Sequence, residues 1–135
     1  MSKEQALFHL LENPAAEIEA IRKGLFPSQV EVFLKSNEFP TKETLEVLDI
    51  NATTFFKRKR TRTKLNSEMS EKFLRLARVT RLAFKVIGDK AEALAWLSRE
   101  IPSLGKQRPM DLLDTEVGHR LVEEALLQIE HGVYG

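Results

Sequence analysis

The sequence predicts an all-α protein, and three observations support that prediction. Apolar residues recur every three or four positions over most of the chain, as they do on one face of a helix. Residues that favour helix starts precede these stretches, and glycine or proline follows several of them. No stretch alternates apolar and polar residues over the length of a strand. We therefore expect successive helices joined by short turns.

Start and stop signals divide the chain into these helices. After a short amphipathic segment at residues 3–12, Asn13 is expected to cap a helix that has Pro14 in its first turn and Gly24 past its end. Ser67 opens the longest helix, which Gly88 can end. Further residues are placed to cap the other helices: Ser28, Thr41, Asn51, Asp89, and Asp114 or Thr115.

The C-terminal part of the chain continues the helical pattern. Trp96 is expected in the core, and Pro109 to Leu113 should form a single turn. The last helix should run to about His131. Its apolar residues at four-residue spacing are expected to pack it on its own domain: Val117, Leu121, Ala125 and Ile129.

Composition excludes several classes of protein. The 135 residues are 42% hydrophobic and 30% charged, which is ordinary for a soluble globular protein. There is no cysteine, so disulfides and thiolate zinc sites are excluded. The start of the chain lacks the long apolar run of a signal peptide, and no run approaches the roughly 20 residues of a membrane span. We expect a cytoplasmic protein without a membrane partner.

Charge is concentrated in the middle of the chain. Residues 57–85 contain eleven basic and two acidic residues, although the whole chain has a net charge of only +1. Six of the eight residues from Lys57 to Lys64 are basic, and such a cluster indicates a polyanionic partner. A second set recurs every three or four residues, a stripe typical of a solvated helix face: Lys72, Arg75, Arg78, Arg81 and Lys85.

The residues around the dense cluster favour duplex DNA as the polyanion. Residues 41–60 read as two short helices joined by a tight turn, the outline of a helix-turn-helix. Leu45 stands where that motif usually has Ala, and Asp49 stands where it usually has Gly. Small side chains at the start of the second helix would meet base edges, and the cations that follow would contact phosphates. The predicted DNA-binding residues are Ala52, Thr53, Thr54, Lys57, Arg58, Lys59 and Arg60.

No pattern in the sequence argues for catalysis or for a cofactor. There is no glycine-rich phosphate loop, and Ser67, Ser98 and Ser103 have no nearby His that would suggest a nucleophile. His119 and Glu123 are four residues apart on a predicted helix, but such pairs are common on helix surfaces. We therefore predict no catalytic residue, no metal site and no enzyme activity.

Residues 73–135 carry a more specific pattern, which includes Ile-Glu-His-Gly-Val at residues 129–133. From about Gly24 to the end, and most specifically over residues 73–135, the chain resembles the Xre/MbcA/ParS family of toxin-neutralising antitoxins. The family's toxin-binding domain ends in a basic residue followed by Ile-Glu-x-Gly-Val, and here Gln128 replaces the basic residue. The other matching positions are Gly88, Leu104, Gly105, Pro109, Gly118, Val122, Ile129, Glu130, Gly132 and Val133.

This resemblance implies an antitoxin of a type II toxin–antitoxin system. The implied partner is a RES-domain toxin, which consumes NAD or transfers ADP-ribose from it. The antitoxin would cover the toxin's active site, form a homodimer, and repress its own operon by binding operator DNA. It would comprise an Xre-like helix-turn-helix domain at residues 1–66 and a helical toxin-binding domain at residues 67–135.

The end of the chain is the predicted inhibitory element. Gly132 should end the last helix, and the residues after it offer an apolar side chain, an aromatic ring and a carboxylate. The resemblance implies that this segment enters the NAD-binding cleft of the toxin, with Glu130 close enough to pair with a basic residue there. The predicted toxin-binding residues are Glu130, Gly132, Val133, Tyr134 and Gly135.

Two rival functions stay open. The chain could be a helix-turn-helix transcription regulator whose C-terminal domain senses a small molecule, which a ligand-sized cavity in that domain would favour. It could also be a toxin-binding protein whose helix-turn-helix is vestigial, a possibility raised by Leu45 and Asp49.

Overall fold

The computed structural model describes residues 2–132 and confirms the all-α class. The helices of this part of the chain are α1 (Lys3–Leu11), α2 (Pro14–Lys23), α3 (Pro27–Ser36), α4 (Thr41–Val47), α5 (Ala52–Thr61), α6 (Ser67–Ile87), α7 (Lys90–Ser98) and α8 (Glu116–Glu130). Two short 3₁₀ helices, Pro102–Leu104 and Pro109–Leu112, lie between α7 and α8. Among residues 2–132, no helix combines the length and apolar character needed to cross a bilayer.

Most of the predicted helix starts are confirmed. The side-chain oxygen of Asn51 accepts the Thr54 N–H at 2.8 Å, and Asn13, Asp89 and Thr115 cap their helices in the same way. These bonds satisfy N–H groups that the first turn of a helix leaves without a partner.

The caps predicted at Ser28 and Thr41 are wrong, because both residues lie inside their helices. Proline explains both errors. Pro27 occupies the first position of α3, so Phe26 is the cap residue, and the Gln29 side chain accepts its N–H at 2.8 Å. Pro40 precedes α4 as its cap residue, in extended backbone.

The chain divides into two compact units, residues 1–74 and residues 75–135. In the first unit, the fully buried ring of Phe33 lies within 6.1 Å of the rings of Phe8, Phe39 and Phe73, measured between centroids. In the second unit, the most buried large side chains include Leu97, Leu113 and Leu126. Trp96 is buried as expected, at 4% exposure.

The predicted packing face of α8 is wrong at two positions. Val117 is 59% exposed and Leu121 is 45% exposed. Positions four apart drift by about 40° per step around a helix, so a strict four-residue series leaves the buried face. The residues that α8 does bury recur at three- and four-residue spacings, as expected for one face of a helix with 3.6 residues per turn. They are Gly118, His119, Val122, Ala125 and Leu126.

Gly118 explains how α8 approaches its neighbours so closely. A Cβ atom at this position would overlap the main-chain carbonyl of Leu112, in the 3₁₀ helix before α8. Only glycine allows this backbone-to-backbone contact. The first turn of α8 is therefore held against the Pro109–Leu112 segment, and Val117 on its other side faces solvent.

Candidate functional sites

The turn between α4 and α5 has the hydrogen bonds of a Schellman motif. The Ile50 N–H donates to the Leu45 carbonyl at 2.8 Å, and the Asp49 N–H donates to the Glu46 carbonyl at 3.0 Å. Asp49 has φ of 58°, the left-handed conformation that glycine usually supplies at this point. Leu45, the other departure from the usual pattern, is fully buried. The two helices are thus joined by a short turn that these two hydrogen bonds stabilise.

The exposed side of α5 brings together three of the predicted DNA-binding residues. Phe55 is fully buried and fixes the rotation of the helix on its unit. Thr53, Lys57 and Arg60 lie at positions i, i+4 and i+7 and are all exposed, so they share one solvent-facing stripe. We call these three residues the α5 outer face. Ala52 and Thr54 are half-buried and lie beside it.

Two other cations of the cluster make contacts within the protein. The Arg58 guanidinium donates to the Lys64 carbonyl at 2.7 Å. The Lys59 ammonium lies 2.9 Å from a carboxylate oxygen of Glu31, whose side chain is only 12% exposed. Sequence reasoning treated the cluster as uniform because spacing in the chain does not reveal a partner that is 28 residues away.

The basic stripe on α6 is not a solvated face at its first two positions. The side chains of Lys72 and Arg75 are each only 14% exposed. Lys72 contacts Asp49 and Glu68, and Arg75 donates to the Asp114 carbonyl at 3.1 Å. The prediction is therefore wrong for these two residues, since each holds separate parts of its own unit together.

Lys72 also has a perturbed protonation equilibrium. Burial acts to lower its pKa, but hydrogen bonds and charge interactions with Glu68 and Asp49 outweigh that effect. The net result is a pKa raised above the ordinary lysine value. Lys72 therefore stays charged across the neutral pH range.

The outer side of α8 presents exposed apolar side chains. Val117 and Leu121 lie one turn apart and face solvent, and Leu127, nearly two turns beyond Leu121, is 42% exposed. We call these three residues the α8 outer face. Large exposed apolar groups on one helix are typical of a protein-binding surface. Sequence reasoning missed this face because the contact of Gly118 with the Leu112 carbonyl, which turns Val117 towards solvent, is not visible in the sequence.

The predicted inhibitory element is only partly within the described residues. Glu130 is exposed at the last position of α8, and Gly132 follows with φ of 77°, as expected for a residue that ends a helix. Val133, Tyr134 and Gly135 lie outside the described residues. Of the five predicted toxin-binding residues, the structure therefore describes only Glu130 and Gly132.

His119 and Glu123 form a local contact on α8. His119 Nδ1 lies 3.3 Å from a Glu123 carboxylate oxygen, and the His119 side chain is 5% exposed. No group of three or more His, Cys, Asp or Glu side chains within residues 2–132 is arranged to hold a metal ion. The pair belongs to the packing of α8.

Comparison with known proteins identifies the C-terminal unit. Residues 82–132 match the family described as "Antitoxin Xre/MbcA/ParS C-terminal toxin-binding domain". The chain is 28% identical to "Antitoxin Xre" of Yersinia enterocolitica over 98% of its own length and 93% of that protein. It is also 28% identical to "Prs ADP-ribosylating antitoxin" of a Sphingobium strain, over 90% of this chain and 82% of that protein. A Pseudomonas putida "Antitoxin Xre" is 38% identical over 53% of this chain and 44% of that protein.

Together with the helical fold, these matches define the class of protein as a toxin–antitoxin system antitoxin. Residues 82–132 thus carry the toxin-binding domain of the Xre/MbcA/ParS family, which the motifs of residues 73–135 predicted.

Proposed function

We propose that the chain neutralises a RES-domain toxin by covering its active site, and that it represses its own operon by binding operator DNA. The observation that supports neutralisation most directly is the match of residues 82–132 to a toxin-binding domain. In this proposal residues 67–135 bind the toxin and residues 1–66 bind DNA. The toxin consumes NAD or transfers ADP-ribose from it.

The toxin-binding surface proposed here combines two parts of the C-terminal unit. The α8 outer face offers apolar contact area, which a partner can remove from water. Glu130 and Gly132 lead from the end of α8 to Val133, Tyr134 and Gly135, which supply the inhibitory element itself. Glu130 is exposed and can pair with a basic residue of an NAD-binding cleft.

A truncation tests the neutralisation. The neighbouring reading frame should encode a RES-type toxin, and NAD turnover by that toxin is measured with the intact chain and with a chain ending at His131. The intact chain should inhibit turnover at a fixed molar ratio, and the truncated chain should inhibit far less, with unchanged helix content. Full inhibition by the truncated chain would place inhibition on the α8 outer face alone.

DNA binding in this proposal depends on the α5 outer face. Lys57 and Arg60 contact phosphates, while Thr53 and Thr54 read base edges from the start of the helix. In a homodimer two such helices would meet half-sites one helical turn apart, or a multiple of that spacing. Replacing either threonine by Ala should lower the preference for operator over random DNA by about 1–3 kcal/mol. Equal loss on both DNAs would instead assign the threonines to backbone contacts.

The second candidate function is toxin binding with a vestigial helix-turn-helix. The contacts of Arg58 with Lys64 and of Lys59 with Glu31 favour it, because they occupy cations that would otherwise meet phosphates. A titration of the chain against its own upstream DNA at several salt concentrations separates the two functions. Salt-dependent binding supports repression, and no binding at low salt supports the vestigial form.

The third candidate is a regulator that senses a small molecule in the C-terminal unit. An open pocket of about 350 Å³ beside Trp96, Ile101 and Ile129 favours it. Its volume is at the lower end of the range for ligand sites. A toxin that is inhibited by the chain in the absence of any added small molecule would argue against this function.

A further inference from the structure

A second pocket, in the N-terminal unit, has a composition that neither toxin binding nor DNA reading explains. It opens between α1, α2 and the segment that follows α5, and its volume is about 540 Å³, within the usual range for small-molecule sites. Its walls are mainly apolar, with Leu7, Leu10, Leu25 and Phe26 among them. The pocket therefore offers a ligand an apolar surface, to which Phe26 and Leu10 contribute more than the buried Leu7 and Leu25.

Among residues 2–132, every charged residue that lines this pocket is a lysine. Lys3, Lys23 and Lys64 surround it, and no Asp or Glu of this described range is among the lining residues. The Lys64 ammonium lies 5.4 Å from the centre of the Phe26 ring, which holds the charge above the apolar surface. Lys23 has a carboxylate neighbour, Glu19 at 3.0 Å, but both side chains are more than half exposed and such pairs are weak. The local field therefore favours an anion.

The wall next to Lys64 is fixed by contacts between distant parts of the chain. The Leu65 N–H donates to the Leu25 carbonyl at 2.8 Å, and the Leu25 N–H donates to the buried Ser70 hydroxyl at 2.9 Å. Gly24 lies so close to the Leu65 carbonyl that any Cβ atom would overlap it. This wall of the pocket is thus already formed before a ligand arrives, which lowers the entropy cost of binding.

We propose that this pocket binds an amphipathic monoanion, an aliphatic carboxylate of medium chain length. The alkyl chain lies on Leu7, Leu10 and Leu25, and the carboxylate lies among the lysine ammonium groups. Burial of the alkyl chain supplies the affinity, and charge-assisted hydrogen bonds from lysine fix the orientation. A nucleic-acid phosphate would satisfy the lysines but would leave the apolar walls exposed to water.

Titration calorimetry on the full chain tests the proposal with decanoate, kept below its micelle concentration. Decanoate should bind with one-to-one stoichiometry. Octanoate, which is two methylenes shorter, should bind about tenfold more weakly if the chain is buried. Decanol and decylammonium have the same alkyl chain without the negative charge and should bind at least tenfold more weakly. Equal affinity of decanoate and decanol would overturn the proposal, because the lysines would then have no role.

Three variants locate the site. Ala6→Leu fills the pocket from α1 and should abolish decanoate binding, while Ala15→Leu, an exposed position of α2 outside the pocket, should leave it unchanged. Lys64→Gln should weaken decanoate binding severalfold and leave decanol binding unchanged. Undiminished decanoate binding by a folded Ala6→Leu variant would overturn the proposal. The proposal would also be overturned if the native chain did not bind decanoate. If Ala6→Leu then also changed the oligomeric state, the pocket would be assigned to contact between copies of the chain.

Discussion

The Lys72 ammonium donates a 2.8 Å hydrogen bond to the main-chain carbonyl of Asp49, and it also lies 3.2 Å from the Asp49 carboxylate. Asp49 is the left-handed residue of the turn that leads into α5, and Lys72 is on α6. A single side chain from α6 thus holds the turn that positions the α5 outer face. The charge at residue 72 therefore contributes to the arrangement of the proposed DNA-reading helix.

Lys72→Gln should lower the free energy of unfolding by about 1–2 kcal/mol, because it removes charged hydrogen bonds from a mostly buried group while Asp49 stays solvent-exposed. Chemical denaturation at pH 7 measures the loss. Lys85→Gln, at an exposed position of the same helix, should change stability by less than about 0.5 kcal/mol. Equal stability of the Lys72 variant and the native chain would contradict the structural role.

The stability contributed by the contact between Lys72 and Asp49 should depend on pH. The pKa of Lys72 is raised in the folded state, so its contribution to stability is fully present below the ordinary lysine pKa of about 10.4. The contribution is lost as the pH rises through the raised value. The stability difference between the native chain and Lys72→Gln should therefore be constant from pH 7 to 9 and smaller at pH 11.

Glu38→Gly should stabilise the chain by about 0.5–1 kcal/mol. Glu38 directly follows Asn37, the C-cap of α3, and has φ of 57°, a conformation that is unfavourable for residues with a Cβ atom and free for glycine. The gain is reduced by the greater freedom of glycine in the unfolded chain. Lys35→Gly, three residues earlier inside α3, should have the opposite effect and cost about 1 kcal/mol. A decrease in melting temperature for both variants would contradict the prediction.

Lys57→Ala combined with Arg60→Ala should reduce the salt dependence of DNA binding by about two units of the log–log slope, one for each phosphate that the variant no longer neutralises. Lys59→Ala should reduce it less, because Lys59 is paired with Glu31. Fluorescence anisotropy with a labelled operator at several salt concentrations measures both slopes. Toxin inhibition should be the same in all variants. If Lys59→Ala has the larger effect, the α5 outer face is not the phosphate-binding surface.

Leu121→Asp should weaken toxin inhibition by at least tenfold without loss of helix content. Leu121 is 45% exposed, so a charged side chain is tolerated in the free protein but would be buried unpaired against a partner. Ile18→Asp provides a matched control, since Ile18 is 48% exposed in the N-terminal unit. The Ile18→Asp variant should inhibit the toxin as strongly as the native chain does. Normal inhibition by Leu121→Asp would exclude the α8 outer face from the interface.

The sequence predicted much of what depends on local signals, apart from the caps at Ser28 and Thr41, and missed what depends on partners far along the chain. Asn51 caps α5 because its side chain reaches only three residues ahead, and this cap was predictable. The buried environments of Lys72 and Arg75 were not, since their partners come from distant segments. The exposed side of α8 was predicted wrongly because a four-residue series looked like a packing face. The close approach at Gly118 determines the rotation of that helix, and it is visible only in three dimensions.

The contact between residues 24–25 and residues 64–65 also has a consequence for local unfolding of the chain. The amide protons of Leu25 and Leu65 are each held by a bond from a distant segment, at Ser70 and Leu25 respectively. Both bonds are lost when the link between α2 and α3 separates from α6 and from the chain that follows α5. Both amides should therefore exchange with deuterium slowly and at similar rates, as one cooperative unit that opens only when most of the N-terminal unit unfolds. Amides in the first turn of α1 should exchange orders of magnitude faster.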